Sequence, residues 1–328
     1  MNRKVAVAPM MDCTDKHERY FLRLISKNVL LYTEMIVSEA IDRGDREKLL
    51  SFNLEEKPVA LQLGGSSPKL LSNAAKIGED FGYDEINLNL GCPSKKVQKN
   101  KFGACLIKEP KLVADCLSEM RSKTKLPVTV KTRIGYDQVE DYEHLYSFID
   151  LLKSTGVKTF IIHARKAMLG KFTPKQNLNI PPLKYEMVYK LKEDFKELDI
   201  IINGGITSAE QIKNHNKKVD GVMMGRAIYH SPYLLADIEK EIFKNDDVPS
   251  RQEVVEKLVI YLKNEITKGT RVNQVMRHTL GLFHGQTGSN FWKRYLSENM
   301  CVRDADIQKV DHILDKVKLN HVTQPTGQ

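Results

Sequence analysis

The sequence predicts an α/β fold, a (β/α)8 TIM barrel followed by a small all-helical domain, on three observations. Eight short apolar or β-branched runs, each bounded by Gly, Pro, Asn or Asp, lie between Val5 and Met224. Segments of helical period separate them, and such an alternation suits a closed parallel barrel of roughly 250 residues better than an open doubly wound sheet. From Gln252 to about Leu319 the strand-like alternation stops and the chain reads as long helices.

The runs predict strands over Val5 to Ala8, Val29 to Tyr32, Val59 to Leu63, Glu85 to Leu90, Val128 to Thr132, Thr159 to His163, Ile200 to Asn203, and Gly221 to Met224. The fourth is the most informative. Ile86, Leu88 and Leu90 alternate with polar neighbours, and Gly91-Cys92-Pro93 then ends the pairing and leaves a thiol at the strand's carboxyl end. Helices are expected over Pro68 to Phe81, Pro110 to Lys123, Tyr142 to Ser154, Tyr185 to Lys196 and Ser208 to Asn214. Asp246-Asp247-Val248-Pro249-Ser250 reads as a turn. It separates a barrel at 1–240 from a helical domain at 245–320, with a polar tail at 321–328.

With 41% hydrophobic content, the 328 residues can bury one large core plus a small domain. No run of twenty apolar residues occurs, and Met1-Asn2-Arg3-Lys4 leads straight into an apolar strand without a signal-peptide core. A soluble, cytoplasmic protein with no membrane partner is expected. Five cysteines (Cys13, Cys92, Cys105, Cys116, Cys301), with no CxxC pair and no His at ligand spacing, argue against a disulfide framework and against a metal site. The net charge of +9 favours a polyanionic partner if the excess shares a face; spread out, it is only a solvated surface.

In a barrel the active site is built at the carboxyl ends of the strands. Here those ends carry Pro9-Met10-Met11-Asp12, Thr33-Glu34-Met35, Gln62, then Asn87, Asn89 and Cys92, Lys131 and Arg133, His163 and Arg165, Asn203-Gly204-Gly205, and Gly225-Arg226. Glycines after strands seven and eight let backbone N–H groups approach a phosphate, with Arg226 adding charge. The plainer reading is a turn leading to Ser208 as helix cap. An inward Lys131 needs a partner; beside the polar edge of a flavin it would stabilise the reduced form, and Gln62 could read the same edge. The rival chemistry is a Schiff base on Lys131. His163 alone is more often structural, but Arg165 two residues on points to the same side of the strand.

These residues together resemble the tRNA dihydrouridine synthases, and within that family the A subfamily. The resemblance runs over Ala8-Pro9-Met10-Met11-Asp12-Cys13-Thr14-Asp15, Thr33-Glu34-Met35, Leu61-Gln62-Leu63-Gly64-Gly65, Asn87-Leu88-Asn89-Leu90-Gly91-Cys92-Pro93-Ser94, Val130-Lys131-Thr132-Arg133-Ile134-Gly135, His163-Ala164-Arg165-Lys166-Ala167, Asn203-Gly204-Gly205 and Gly225-Arg226. The insertion from Phe172 to Leu183 and the segment Trp292-Lys293-Arg294-Tyr295 resemble the A subfamily in particular.

The resemblance implies FMN held by Pro9, Met10, Met11, Gln62, Lys131, His163, Asn203, Gly204, Gly205, Gly225 and Arg226, with NADPH as reductant. It implies reduction of a flipped-out D-loop uridine, at positions 20/20a, with hydride to C6 and a proton to C5 from Cys92. It further implies RNA contacts from Asn89, Arg165, Lys175, Lys293 and Arg294. At Leu178 and Asn290 the chain departs from the basic pattern of the A subfamily. A continuous tRNA face is expected from Lys95, Lys96, Lys99, Lys101, Lys166, Lys171, Lys175, Arg271, Arg277, Lys293 and Arg294. The alternatives are a small-molecule FMN oxidoreductase of the dihydroorotate dehydrogenase type, which has no need of a basic helical domain, and a tRNA chaperone that keeps FMN as a structural element.

Overall fold

The structure, a computed structural model, describes residues 1–299. The rest of the expected helical domain, the 321–328 tail and Cys301 lie outside the described residues. Eight parallel strands form one sheet: β1 (Val5–Val7), β2 (Leu31–Val37), β3 (Val59–Gly64), β4 (Glu85–Leu90), β5 (Val128–Arg133), β6 (Thr159–His163), β7 (Asp199–Asn203) and β8 (Gly221–Met224). They run in the order β1-β8-β7-β6-β5-β4-β3-β2. The ring closes where the Val7 N–H donates to Leu30 O at 2.9 Å and the Leu30 N–H to Val5 O at 3.2 Å. This is the expected barrel, and the helices Pro68–Asp80, Pro110–Lys123, Tyr142–Ser154, Tyr185–Asp194 and Ala209–His215 fall where their periodicity puts them.

The second strand differs from expectation. It runs on to Val37, and its pairing with β3 shifts between Tyr32 and Met35. At the shift the Thr33 hydroxyl accepts the Gln62 backbone N–H at 3.0 Å. A side-chain oxygen therefore fills in for the missing ladder acceptor, and the strand continues past Thr33-Glu34-Met35 instead of ending there.

Side chains two apart on a strand share a face. Ala6, Ala8, Leu30, Tyr32, Ala60, Ile161, Ile201 and Met223 form one buried apolar cluster. Stepping two residues along β3, β6 and β7 from Ala60, Ile161 and Ile201 reaches Gln62, His163 and Asn203 on the same face. Glu85, Asn87 and Asn89 of β4 stand in register beside this set and beside Thr129 and Lys131 of β5. One sector of the barrel lumen is thus apolar, and the sector built by β3 to β5 is polar.

The chain divides into two compact units, Met1–Thr14 with Val29–Gly225, and Asp15–Asn28 with the residues from Arg226 on. The boundary expected between 240 and 245 falls instead at 225/226, and the first helix, Lys16–Ile25, belongs with the C-terminal helices. Polar ties across long sequence separations account for this. Asp15, the N-cap of that helix, pairs with Arg277 at 2.7 Å and His278 at 3.1 Å, and Glu18 meets the other ring nitrogen of His278 at 2.9 Å. Ser26 and Asn28 both donate to Glu239, Asn28 through its backbone N–H at 3.0 Å. Of the expected long helices, Arg251–Thr267 and Ser289–Asn299 are present, while Val272–Met276 between them is a short one. The first ends at Gly269, whose φ of +87° favours glycine. Among the described residues no helix is long and apolar enough to cross a membrane, and no group of His, Cys, Asp and Glu has the makings of a metal site.

Candidate active site

Cys92 sits two residues past the end of β4 in a turn held from both sides. The Asn89 side-chain oxygen accepts the N–H groups of Gly91 and Cys92 at 3.1 and 3.0 Å, and the Cys92 carbonyl accepts the Ala104 N–H at 3.0 Å. Burial pushes the thiol above its ordinary value, and the Ser94 N–H, Arg133 and Lys131 oppose this without cancelling it. The thiol therefore keeps its proton at neutral pH, as a proton donor must.

The following segment is packed directly against that turn. Gly103 has φ +75°, and a Cβ there would lie 2.6 Å from Val97 Cγ1 and 2.8 Å from the Cys92 carbonyl oxygen. Gly103→Ala is expected to cost about 1–2 kcal/mol from the left-handed backbone alone, plus the clash, and to displace Cys92. Thermal unfolding beside the alkylation rate of the Cys92 thiol checks this; wild-type values for both would mean that the loop gives way freely.

Around the rim, strand register brings the expected residues together. Lys131 is in register with Asn89, Arg133 with His163, and His163 with Asn203. The Lys131 ammonium donates to Asn203 Oδ1 at 3.0 Å, and Asn203 Nδ2–H donates to Met223 O at 2.8 Å. Burial, aided by Arg133, pulls the Lys131 value down from 10.5 to about 7. An ammonium so placed is poised for an anion. Gly204 and Gly205 both have positive φ, +118° and +71°. A Cβ on Gly204 would lie 2.7 Å from His163 Cδ2, and one on Gly205 would lie 2.6 Å from Leu183. Bare backbone is required at both positions, which leaves peptide groups open to a ligand.

Met10, after β1, closes a tight turn in which its N–H donates to the Thr14 hydroxyl at 3.0 Å and its carbonyl accepts from Cys13 and Thr14. Its sulfur lies 3.4 Å from where a Gly225 Cβ would stand. Pro9 is half-buried and Met11 exposed in the same turn. Arg226 opens the helix Arg226–His230. These placements fit a planar, anionic, phosphate-bearing cofactor: a basic group for its polar edge, bare backbone for its phosphate, and apolar Met and Pro beside them.

Of the residues expected to read RNA, Asn89 is bound into the Cys92 turn. Arg165 donates to the Pro181 carbonyl and so anchors the β6 loop. Lys175 is exposed on the short helix Pro174–Asn177, near whose end Leu178 lies. Lys293 and Arg294 are exposed on the helix Ser289–Asn299 of the second unit, which also carries Asn290.

Sequence reading put Arg133 on the rim without a role and missed Asn177. Arg133 is buried with its guanidinium spent on the carbonyls of Gly91, Lys166 and Asn177, at 2.8, 3.1 and 3.3 Å. Asn177, fully buried, accepts the Met168 N–H at 2.7 Å and donates to Met168, Phe172 and Thr173 carbonyls. Together they tie the Cys92 turn to the β6 loop. The signal for Arg133 was its place on β5 two residues beyond Lys131; for Asn177 there was none, because its partners are all backbone.

A model of the family described as Dihydrouridine synthase (Dus) matches residues 6–318. The tRNA-dihydrouridine(20/20a) synthase of Synechocystis sp. is 53% identical over 302 residues, 92% of this chain and 90% of that protein. The protein of the same name from Shewanella oneidensis is 48% identical over 99% of this chain and 97% of its own length. That from Escherichia coli K12 is 50% identical over 96% and 91%. Among solved structures, a 2-naphthoyl-CoA reductase complex superposes with a TM-score of 0.54 at 11% identity, covering 74% of this chain and 50% of that one, a likeness of fold alone.

Proposed function

The chain belongs to the dihydrouridine synthase family, and from that premise we propose that it reduces uridine to dihydrouridine at positions 20 and 20a of the tRNA D-loop, with FMN as cofactor and NADPH as reductant. The observation that carries this reading is the Cys92 thiol, kept protonated just past the carboxyl end of β4, the strand whose Asn89 is in register with Lys131.

When bound, FMN would supply the hydride to uridine C6, and NADPH would restore it. Lys131 would place its charge at the flavin's polar edge, with Gln62 and His163 beside it and Asn203 holding the ammonium. The peptide groups of Gly204, Gly205 and Gly225, with Arg226, would hold the phosphate, while Pro9, Met10 and Met11 pack beside the ring. Cys92 would give its proton to C5 of the uridine from Sγ, with Asn89 fixing the turn that aims it and touching the same nucleotide. Arg165 and Lys175 on the barrel, and Lys293 and Arg294 on the helical unit, would meet tRNA phosphates.

The test is nucleoside mass spectrometry of tRNA incubated with the purified protein and NADPH. A two-dalton gain on uridine supports the reading, and sequencing of the modified tRNA fixes the position. No gain from a protein that carries FMN would redirect the search to small-molecule substrates, and absence of flavin would remove the basis of the chemistry. The double substitution Lys293→Ala with Arg294→Ala should weaken tRNA binding and make its salt dependence shallower by about 1–2 in log-log slope, with FMN content unchanged. Loss of flavin instead would mean that the pair is structural.

A further inference from the structure

A chain of side-chain hydrogen bonds runs inside the polar sector of the barrel from the amino end of β4 to Cys92. At its base Glu85, fully buried, takes Arg3 Nε and Nη2 at 3.0 and 2.6 Å and the Tyr32 hydroxyl at 2.6 Å. The Thr129 hydroxyl also donates to Glu85, at 2.6 Å. Having spent its one proton there, Thr129 can only accept, and it does so from Asn87 Nδ2 at 2.9 Å. This turns the Asn87 oxygen towards Gln62, whose Nε2 donates to it at 2.8 Å. The Gln62 oxygen in turn accepts Asn89 Nδ2–H at 2.8 Å, which leaves Asn89 Oδ1 facing the N–H groups of Gly91 and Cys92.

Both ends of this chain are fixed in character. A carboxylate only accepts and a peptide N–H only donates, and between them each amide has a single orientation compatible with both. Taken alone, the Asn87 and Gln62 amides are free to flip, and Asn89 is oriented only from the Cys92 end. We propose that Glu85, through Thr129 and Asn87, is a positioning residue for the proposed active site: it sets the polarity of the chain and so holds Asn89 with its oxygen to the Cys92 turn. The inference rests on the reading of Cys92 as proton donor, but its geometry does not. Cutting the chain lets Asn87 and Gln62 reorient, so that Asn89 Nδ2 loses its fixed acceptor and the turn is held from the Cys92 end alone and loosens.

Thr129→Val removes the relay hydroxyl at nearly constant shape, and Asn87→Leu cuts one link nearer Cys92. The readout is the rate of iodoacetamide alkylation at Cys92, located by peptide mass mapping from pH 7 to 10, set beside kcat and KM on tRNA. Both cuts are expected to shift Cys92 alkylation several-fold and to lower kcat roughly tenfold with KM for tRNA unchanged; Thr129→Ser restores both. Arg3→Lys changes the pairing at the other oxygen of the same carboxylate without touching Thr129, and should leave Cys92 as in wild type. Wild-type alkylation in the cut variants overturns the proposal, as does an equal shift in Arg3→Lys. Either cut alone decides the matter if the other does not fold. A wild-type protein that makes no dihydrouridine would sink the functional reading while the alkylation comparison still tests the chain.

Discussion

Cys92→Ala is expected to lower dihydrouridine formation by about 10²–10⁴-fold, the usual worth of a positioned general acid, while FMN content and tRNA affinity stay at wild-type levels. The substitution removes one sulfur atom from a half-buried turn whose fixings, Asn89 Oδ1 and the Ala104 N–H, are unrelated to the side chain. Nothing else at the rim is disturbed. The pH profile carries a second signature. Burial raises the thiol above its ordinary 9.0, so the proton-donor form persists through neutrality and the wild-type rate should decline only above pH 9. Single-turnover mass spectrometry on tRNA measures both. A Cys92→Ala protein with an undiminished rate would move the proton source elsewhere.

Lys131→Met is expected to slow flavin reduction by NADPH about 10²-fold, because in the proposed reading it removes the charge at the flavin's polar edge. Stopped-flow bleaching of the flavin reads this directly, and the variant protein should remain folded. Without an anion beside it, the ammonium has its value pulled from 10.5 down to about 7 by burial. The sign of the linked stability follows. Between pH 7 and 10.5 the unfolded chain holds a proton that the folded one has released, so stability of the cofactor-free protein rises with pH across that window and is flat below it. Lys131→Met should erase this slope. An anionic edge beside the ammonium holds the proton to higher pH, so the advantage of wild type over the variant should persist through pH 7 and shrink only as pH climbs well above it. A pH-independent ratio would place the charge elsewhere.

The barrel and most of its rim were legible in the sequence because period two does double duty. The same alternation that marks Glu85 to Leu90 as a strand also puts Glu85, Asn87 and Asn89 on one face, so reading the strand reads the lumen. Lys131, His163 and Asn203 follow by the same count on β5, β6 and β7. The unread parts depend on partners that sequence spacing does not reveal. Thr33 lets β2 run on through a hydroxyl that replaces a ladder bond. Asn177 binds only carbonyls and N–H groups, which leave no mark on composition. Arg133 looks like one more rim charge until its guanidinium is seen to be filled with backbone oxygens. The first helix has an ordinary N-cap in Asp15, and nothing nearby shows that the same carboxylate also holds His278.

That last pairing bears on how the molecule is made. Glu239, Arg277 and His278, which hold the ends of the helix Lys16–Ile25, are synthesised 211 to 263 residues after the groups they hold. At about 5–20 residues per second, the interval is roughly 10–50 s. Throughout that time the helix lacks these partners, while seven of the eight strands of the barrel are synthesised behind it. Completion of the second unit therefore waits until synthesis has passed His278, and a chain cut short before that residue would carry an intact set of barrel strands with the helix Lys16–Ile25 lacking these partners.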